Sequence, residues 1–113
     1  MEFWHNPRCS KSRQALAILR DKGIEPEVRL YLDRAPDEAE IRSVIAALGL
    51  ETAHDLIRAG EPDYKAAGLS RDSSDAALIA AMAAHPKLIE RPVLIDSGRA
   101  VIARPPERVL ELV

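Results

Sequence analysis

A proline and a lone cysteine govern the first decision this chain has to make. Phe3-Trp4 is a short apolar run, and Ala15, Leu16, Ile18 and Leu19 follow with helical spacing. The stretch between them, His5-Asn6-Pro7-Arg8-Cys9-Ser10-Lys11-Ser12-Arg13, therefore has to turn a strand into a helix. Pro7 is excluded from a helix interior, so the helix is expected to begin at about Cys9 or Ser10. Cys9 then stands at a helix N-terminus, where unpaired backbone N–H groups and the positive end of the macrodipole favour the thiolate. Arg8, Lys11 and Arg13 add positive charge, and His5 precedes the thiol by one helical turn's worth of chain. Such a loop suits a reactive thiol and also an anion. A lone cysteine is commonly just a small buried hydrophobe. Arg8, Ser10 and Lys11 are poor company for a core residue.

The rest of the chain supplies the frame for that loop. A strand over Met1 to Trp4, a helix from Ser10 to Lys22 stopped by Gly23, and a strand from Glu27 to Leu32 make a strand-helix-strand unit. A unit of this length predicts a parallel crossover. Asp37 and Glu40 form a capping-box pattern ahead of Ile41, Val44, Ile45 and Leu48, and Gly49 closes that helix. A short helix is expected over Thr52 to Arg58, an irregular stretch over Glu61 to Gly68, and a helix through Leu78, Ile79 and Met82 stopped by His85-Pro86. Val93-Leu94-Ile95 and Ala100-Val101-Ile102 flank the tight turn Asp96-Ser97-Gly98-Arg99 and read as a hairpin. Pro105 suits the first turn of a last helix carrying Val109, Leu110 and Val113. Without the helical block at about 37–86, a small mixed sheet with flanking helices remains. The expectation is one α/β domain over 1–113, thioredoxin-like (glutaredoxin-like), with a mixed four-stranded sheet and a helical insertion. The pattern leaves the strand order open.

Composition removes several classes of function. A net charge of -2 offers no electrostatic case for nucleic acid or an anionic membrane surface. No apolar run approaches the roughly 20 residues that span a bilayer, and no signal-peptide pattern opens the chain. One cysteine rules out an internal disulfide framework, fits a reducing cytoplasm, and leaves no second thiol to resolve an adduct at Cys9. His5, His54 and His85 lack the spacing of metal ligands, so neither a metal nor a bound organic cofactor is expected.

The loop His5 to Arg13 resembles the signature of glutaredoxin-linked arsenate reductases. Asp55-Leu56-Ile57-Arg58, His85-Pro86-Lys87-Leu88-Ile89-Glu90-Arg91-Pro92 and Ala103-Arg104-Pro105-Pro106-Glu107 agree with that family in order and spacing. The resemblance implies that Cys9 attacks arsenic, that His5 helps to hold the sulfur as a thiolate, and that Arg58, Arg91 and Arg104 converge on the oxyanion. It implies a cis Arg91-Pro92 bond as well. Glutathione would act as co-substrate and glutaredoxin as the partner completing reduction to arsenite, in the cytoplasm. Ending at Val113, the chain resembles the short branch of the family.

Residue chemistry is compatible with this. A tetrahedral oxyanion needs several donors, and the guanidinium fork suits it. For His5 two roles stand side by side: an imidazolium lowering the thiol pKa, or a ring that orders the loop by hydrogen bonding. A phosphatase loop would need arginine where Ala15 stands, and a dithiol oxidoreductase would need cysteine in place of Ser12. A monothiol glutathione-dependent reductase of another substrate remains open. So does a non-enzymatic thioredoxin-fold regulator that binds RNA polymerase.

Overall fold

The computed structural model, which describes residues 1–113, puts the first apolar run in the middle of a sheet. Strand β1 (Glu2–Trp4) pairs in parallel with β2 (Glu27–Arg29) and antiparallel with β3 (Val93–Asp96). The other edge of β3 carries β4 (Arg99–Ile102), giving the order β2-β1-β3-β4. Helix α1 (Ser10–Asp21) makes the crossover between the two parallel strands, which a tight turn cannot join. Between β3 and β4, Ser97 and Gly98 take φ of 50° and 78°, the positive values that a two-residue hairpin turn requires. This is the mixed four-stranded, thioredoxin-like α/β sheet expected from the sequence.

Register decides what this sheet can position. Trp4 lies opposite Val93, and Val93 lies opposite Ile102. The end of β1, the start of β3 and the end of β4 therefore emerge at one end of the sheet. The Cys9 loop follows β1, Arg91 lies just before β3, and Arg104 lies just after β4. Beneath them, Phe3 and Leu94 from the sheet pack with Ala15, Leu16 and Leu19 of α1 and with Val101, Ala103 and Val109.

Contacts resolve the chain into two compact units, Met1–Arg34 with Arg91–Val113, and Ala35–Glu90. The second is helix and turn apart from one β-bridge between Ile57 and Ile89, and it spans 35–90 where a helical block at about 37–86 was expected. Its α2 (Glu38–Leu48) begins with the Asp37–Glu40 capping box and ends at Gly49, where φ is 72°. Helix α3 (Pro62–Ala66) is short, and α4 (Asp75–Ala84) begins at Ser74, whose hydroxyl accepts from the Ala77 N–H. Ile41, Val44, Leu78, Ile79 and Met82 are buried in α2 and α4. No helix of the protein is long and apolar enough to cross a membrane.

Four elements differ from the sequence reading, each for a long-range or stereochemical reason. Strand β2 stops at Arg29, because the carbonyl of Leu30 accepts from the N–H groups of Asp33 and Arg34 and bends the chain. The helix expected over Thr52 to Arg58 is only a 3-10 turn, Ala53–Asp55. Beyond it Ile57 forms a β-bridge with Ile89, so pairing between segments outweighs local helix formation. Glu61 to Gly68 is not irregular: Pro62 sits at the first position of α3, where a missing N–H costs nothing. The last helix is a 3-10 spiral, Pro106–Leu112, with Pro106, Val109 and Leu112 turned inward at a period of three. Besides the expected cis Arg91-Pro92 bond, Arg104-Pro105 is also cis.

Candidate active site

Asn6 organises the loop that carries the thiol. Its carbonyl accepts from the Cys9 N–H at 3.0 Å, and its side-chain Oδ1 accepts from the Arg8 N–H at 3.0 Å. Its own N–H donates to Ser12 Oγ at 3.0 Å. Arg13 reaches back to donate to the Pro7 carbonyl at 2.9 Å. These bonds close a tight turn that leaves Cys9 in extended conformation (φ -91°, ψ 121°) as the N-cap of α1. Its carbonyl already accepts the first helical bond, from Arg13.

At that position the sulfur meets the free amides of the first helical turn. Burial pushes the half-buried Cys9 thiol up, but the backbone amides of Ser12 and Lys11 and the Arg91 guanidinium together hold it below its ordinary value. The neutral thiol makes no cap hydrogen bond, so these groups act on the charged form. Arg91 and Arg104 meet at the same end of the hairpin. The Ala103 N–H donates to the Pro92 carbonyl at 2.9 Å, and Arg104 Nη1 lies 3.5 Å from the Arg91 carbonyl. Arg104 is exposed, whereas the Nε of Arg91 is buried with no hydrogen-bond partner in the protein. A buried donor left unpaired is costly, and an anion beside the thiolate would satisfy it.

His5 stands behind the loop. It is 7% exposed, and its Nδ1 lies 2.6 Å from Ser12 Oγ. Burial, then Arg20, then Arg13, push its pKa down, so the ring is neutral near pH 7. Both arginines flank His5 around an open cavity of about 470 Å³ that Cys9 does not line. An imidazolium acting on the sulfur is therefore disfavoured by burial and like charge, and the bonding supports the loop-ordering role. Ser12 is the residue that sequence reasoning missed. It is fully buried on the α1 stripe shared by Ala15, Leu16 and Leu19, and a lone hydroxyl on an apolar stripe is the signal that marks it.

Arg58 belongs to the helical unit and does not close a helix. It follows the Ile57–Ile89 bridge, is half-buried, and forms ion pairs with Glu61 and Glu90. His54 is half-buried and bonds the Ser73 carbonyl, while His85 is the exposed C-cap of α4. No group of three His, Cys, Asp or Glu side chains comes together to hold a metal ion.

The chain is similar to known proteins along nearly its whole length. Residues 4–112 match the model of the ArsC family. An uncharacterised Escherichia coli protein, YfgD, is 48% identical over 100% of this chain and 96% of its own length. An arsenate reductase of Neisseria meningitidis serogroup A is 43% identical over 96% of this chain and 94% of its own. Among solved structures, an arsenate reductase from Vibrio cholerae superposes with a TM-score of 0.95 at 46% identity, covering 100% of this chain and 98% of that one.

Proposed function

The chain belongs to the ArsC family, and from that premise we propose that it is an enzyme that reduces arsenate to arsenite through Cys9. The Cys9 thiolate attacks arsenic, an As–S bond forms, and an arsenate oxygen leaves as water. Glutathione, as co-substrate, then attacks the enzyme-bound arsenic, and glutaredoxin completes the reduction in the cytoplasm. Across the cycle arsenic gains two electrons while two thiols become one disulfide. No second cysteine exists in the chain to serve as the resolving thiol, so external thiols fit the sequence. Arg91 and Arg104 hold the oxyanion beside the sulfur. Arg58 contributes a third guanidinium on the strength of the motif Asp55-Leu56-Ile57-Arg58 alone. His5, bonded to Ser12, orders the loop and thereby the thiol.

The observation that carries this reading is the pairing of a thiol held below its ordinary pKa with the buried, unpartnered Nε of Arg91. A nucleophile and a waiting anion donor are what thiol attack on an oxyanion needs. The test is arsenate-dependent NADPH oxidation with glutathione, glutathione reductase and glutaredoxin, wild type beside Cys9→Ser. Saturable turnover that needs glutaredoxin and disappears in a folded Cys9→Ser protein is the expected result. Turnover in Cys9→Ser, or none in wild type, would refute it and bring forward another thiol-dependent substrate or the polymerase-binding regulator.

A further inference from the structure

The cavity beside His5 takes no part in the thiol chemistry, and its wall is built within the sheet-bearing unit alone. Arg13, Leu16, Ala17 and Arg20 line it at helical spacing from one side of α1, and His5 and Pro7 close it from the loop. Its volume of about 470 Å³ lies in the range of small-molecule sites and is well above what one inorganic oxyanion fills. Pro7, Leu16 and Ala17 make part of the wall apolar, between two guanidinium groups. Among the lining residues His5 alone is both polar and buried. Its Nδ1 faces Ser12 Oγ, and Ser12 does not line the cavity, so it is the remainder of the ring that reaches the wall.

The charges around this wall are not balanced at the imidazole. Arg13 Nη1 donates to the Pro7 carbonyl at 2.9 Å, which keeps its charge at the loop end of the cavity. Arg20 Nε lies 3.1 Å from Glu25 Oε1, but both partners are more than half exposed, so solvent screens the pair and an anion can compete for the guanidinium. Asp21 shares the wall, yet the charges that act on His5 are the positive ones of Arg20 and Arg13. Phe3 of β1 faces the ring at 5.5 Å between centroids and carries no charge. Two cations set against a buried imidazole are an unfavourable arrangement that a bound anion relieves. We propose that this cavity is a second anion site, separate from the one at Cys9, and that it takes a small organic carboxylate. The carboxylate lies against Arg13, Arg20 and His5, and its apolar body rests on Pro7, Leu16 and Ala17. His5 and Arg13 also hold the thiol loop, through Ser12 Oγ and the Pro7 carbonyl, so a ligand here bears on the groups that order Cys9. An anion against the ring favours the imidazolium, which has a further N–H to give besides the one facing Ser12. Binding is then complete below the pKa of the free ring and weakens as pH rises through the raised value of the complex.

The test is a two-dimensional NMR titration of the full chain with benzoate, its neutral counterpart benzamide, and inorganic phosphate. Benzoate is expected to shift the Ala17 and Arg20 amide signals and the His5 ring signals saturably, and to raise the pH at which the ring titrates. Arg13→Ala and Arg20→Ala are each expected to weaken benzoate about tenfold. Arg20→Ala spares the bond from Arg13 to the Pro7 carbonyl, so its effect is not one of loop disorder. Arg91→Ala, which alters the Cys9 site, is expected to leave benzoate binding unchanged. Benzamide that shifts the same signals as strongly overturns the proposal, as does phosphate that binds there as tightly as benzoate. So does benzoate binding that is lost in Arg91→Ala or unaffected by Arg20→Ala, and so does the absence of a saturable shift. None of these outcomes depends on arsenate turnover, so this site and the reductase reading stand or fall separately.

Discussion

The two units treat their arginines in opposite ways. In the sheet-bearing unit Arg91 stands next to a thiol, with its Nε buried and unpartnered. In the helical unit Arg58 has a carboxylate on each of two edges. The difference is whether the guanidinium is already engaged within the protein. One arginine is kept ready by leaving a buried donor unsatisfied, and its other effect is to favour the neighbouring thiolate. Arg58 is instead paired with the neighbouring carboxylates of Glu61 and Glu90. Losing Arg91 should therefore damage both binding and the nucleophile, whereas losing Arg58 should damage binding alone.

That contrast is open to direct attack. Arg91→Ala is expected to cost the most, about a hundredfold in kcat/KM for arsenate, as for other preorganised donors. Arg91→Lys is expected to recover only part of it, since an ammonium lacks the planar fork. If steady-state kinetics show Arg58→Ala to be the more damaging change, the comparison breaks. Ser12→Ala tests what the loop owes to its buried hydroxyl. It strands His5 Nδ1 and the Asn6 N–H, so chemical denaturation should show a loss of about 1–3 kcal/mol. The Cys9 pKa should move less than in Arg91→Ala, because Ser12 acts on the sulfur through a backbone amide that alanine retains. The smallest effect belongs to Asp37→Ala in the helical unit. Losing that capping box should cost about 1 kcal/mol by the same denaturation assay and leave the Cys9 titration unchanged. A shifted titration there would show that the thiol depends on the helical unit more than its own bonding implies.

What the sequence made legible was local. Pro7 and Cys9 placed the start of α1, Asp37 with Glu40 placed that of α2, and Ser97-Gly98 placed the hairpin, because each acts within a few residues. The thiol loop and both arginine-proline pairs were legible for the same reason. What stayed hidden depends on distant partners. The helix expected up to Arg58 gives way because Leu56, Ile57 and Arg58 pair with Leu88, Ile89 and Glu90. Strand order follows from Trp4 facing Val93, which no local pattern encodes. His5 invites an imidazolium reading, since neither its burial nor the approach of Arg20 and Arg13 is visible in the chain order. Ser12 passed unnoticed because its two partners lie outside its helix, at His5 and Asn6.

The central claim is that the amides of α1 and Arg91 together lower the pKa of the Cys9 thiol and so favour the thiolate beside an oxyanion site. Cys9 is the only cysteine, so thiolate absorbance followed against pH reports that one group without ambiguity. A lowered pKa means that the thiolate forms as pH rises through a midpoint below that of an ordinary cysteine and is lost on acidification beneath it. The account predicts such a midpoint in wild type and an upward shift in Arg91→Ala. A wild-type midpoint at or above the ordinary value, or one that Arg91→Ala leaves in place, would contradict it.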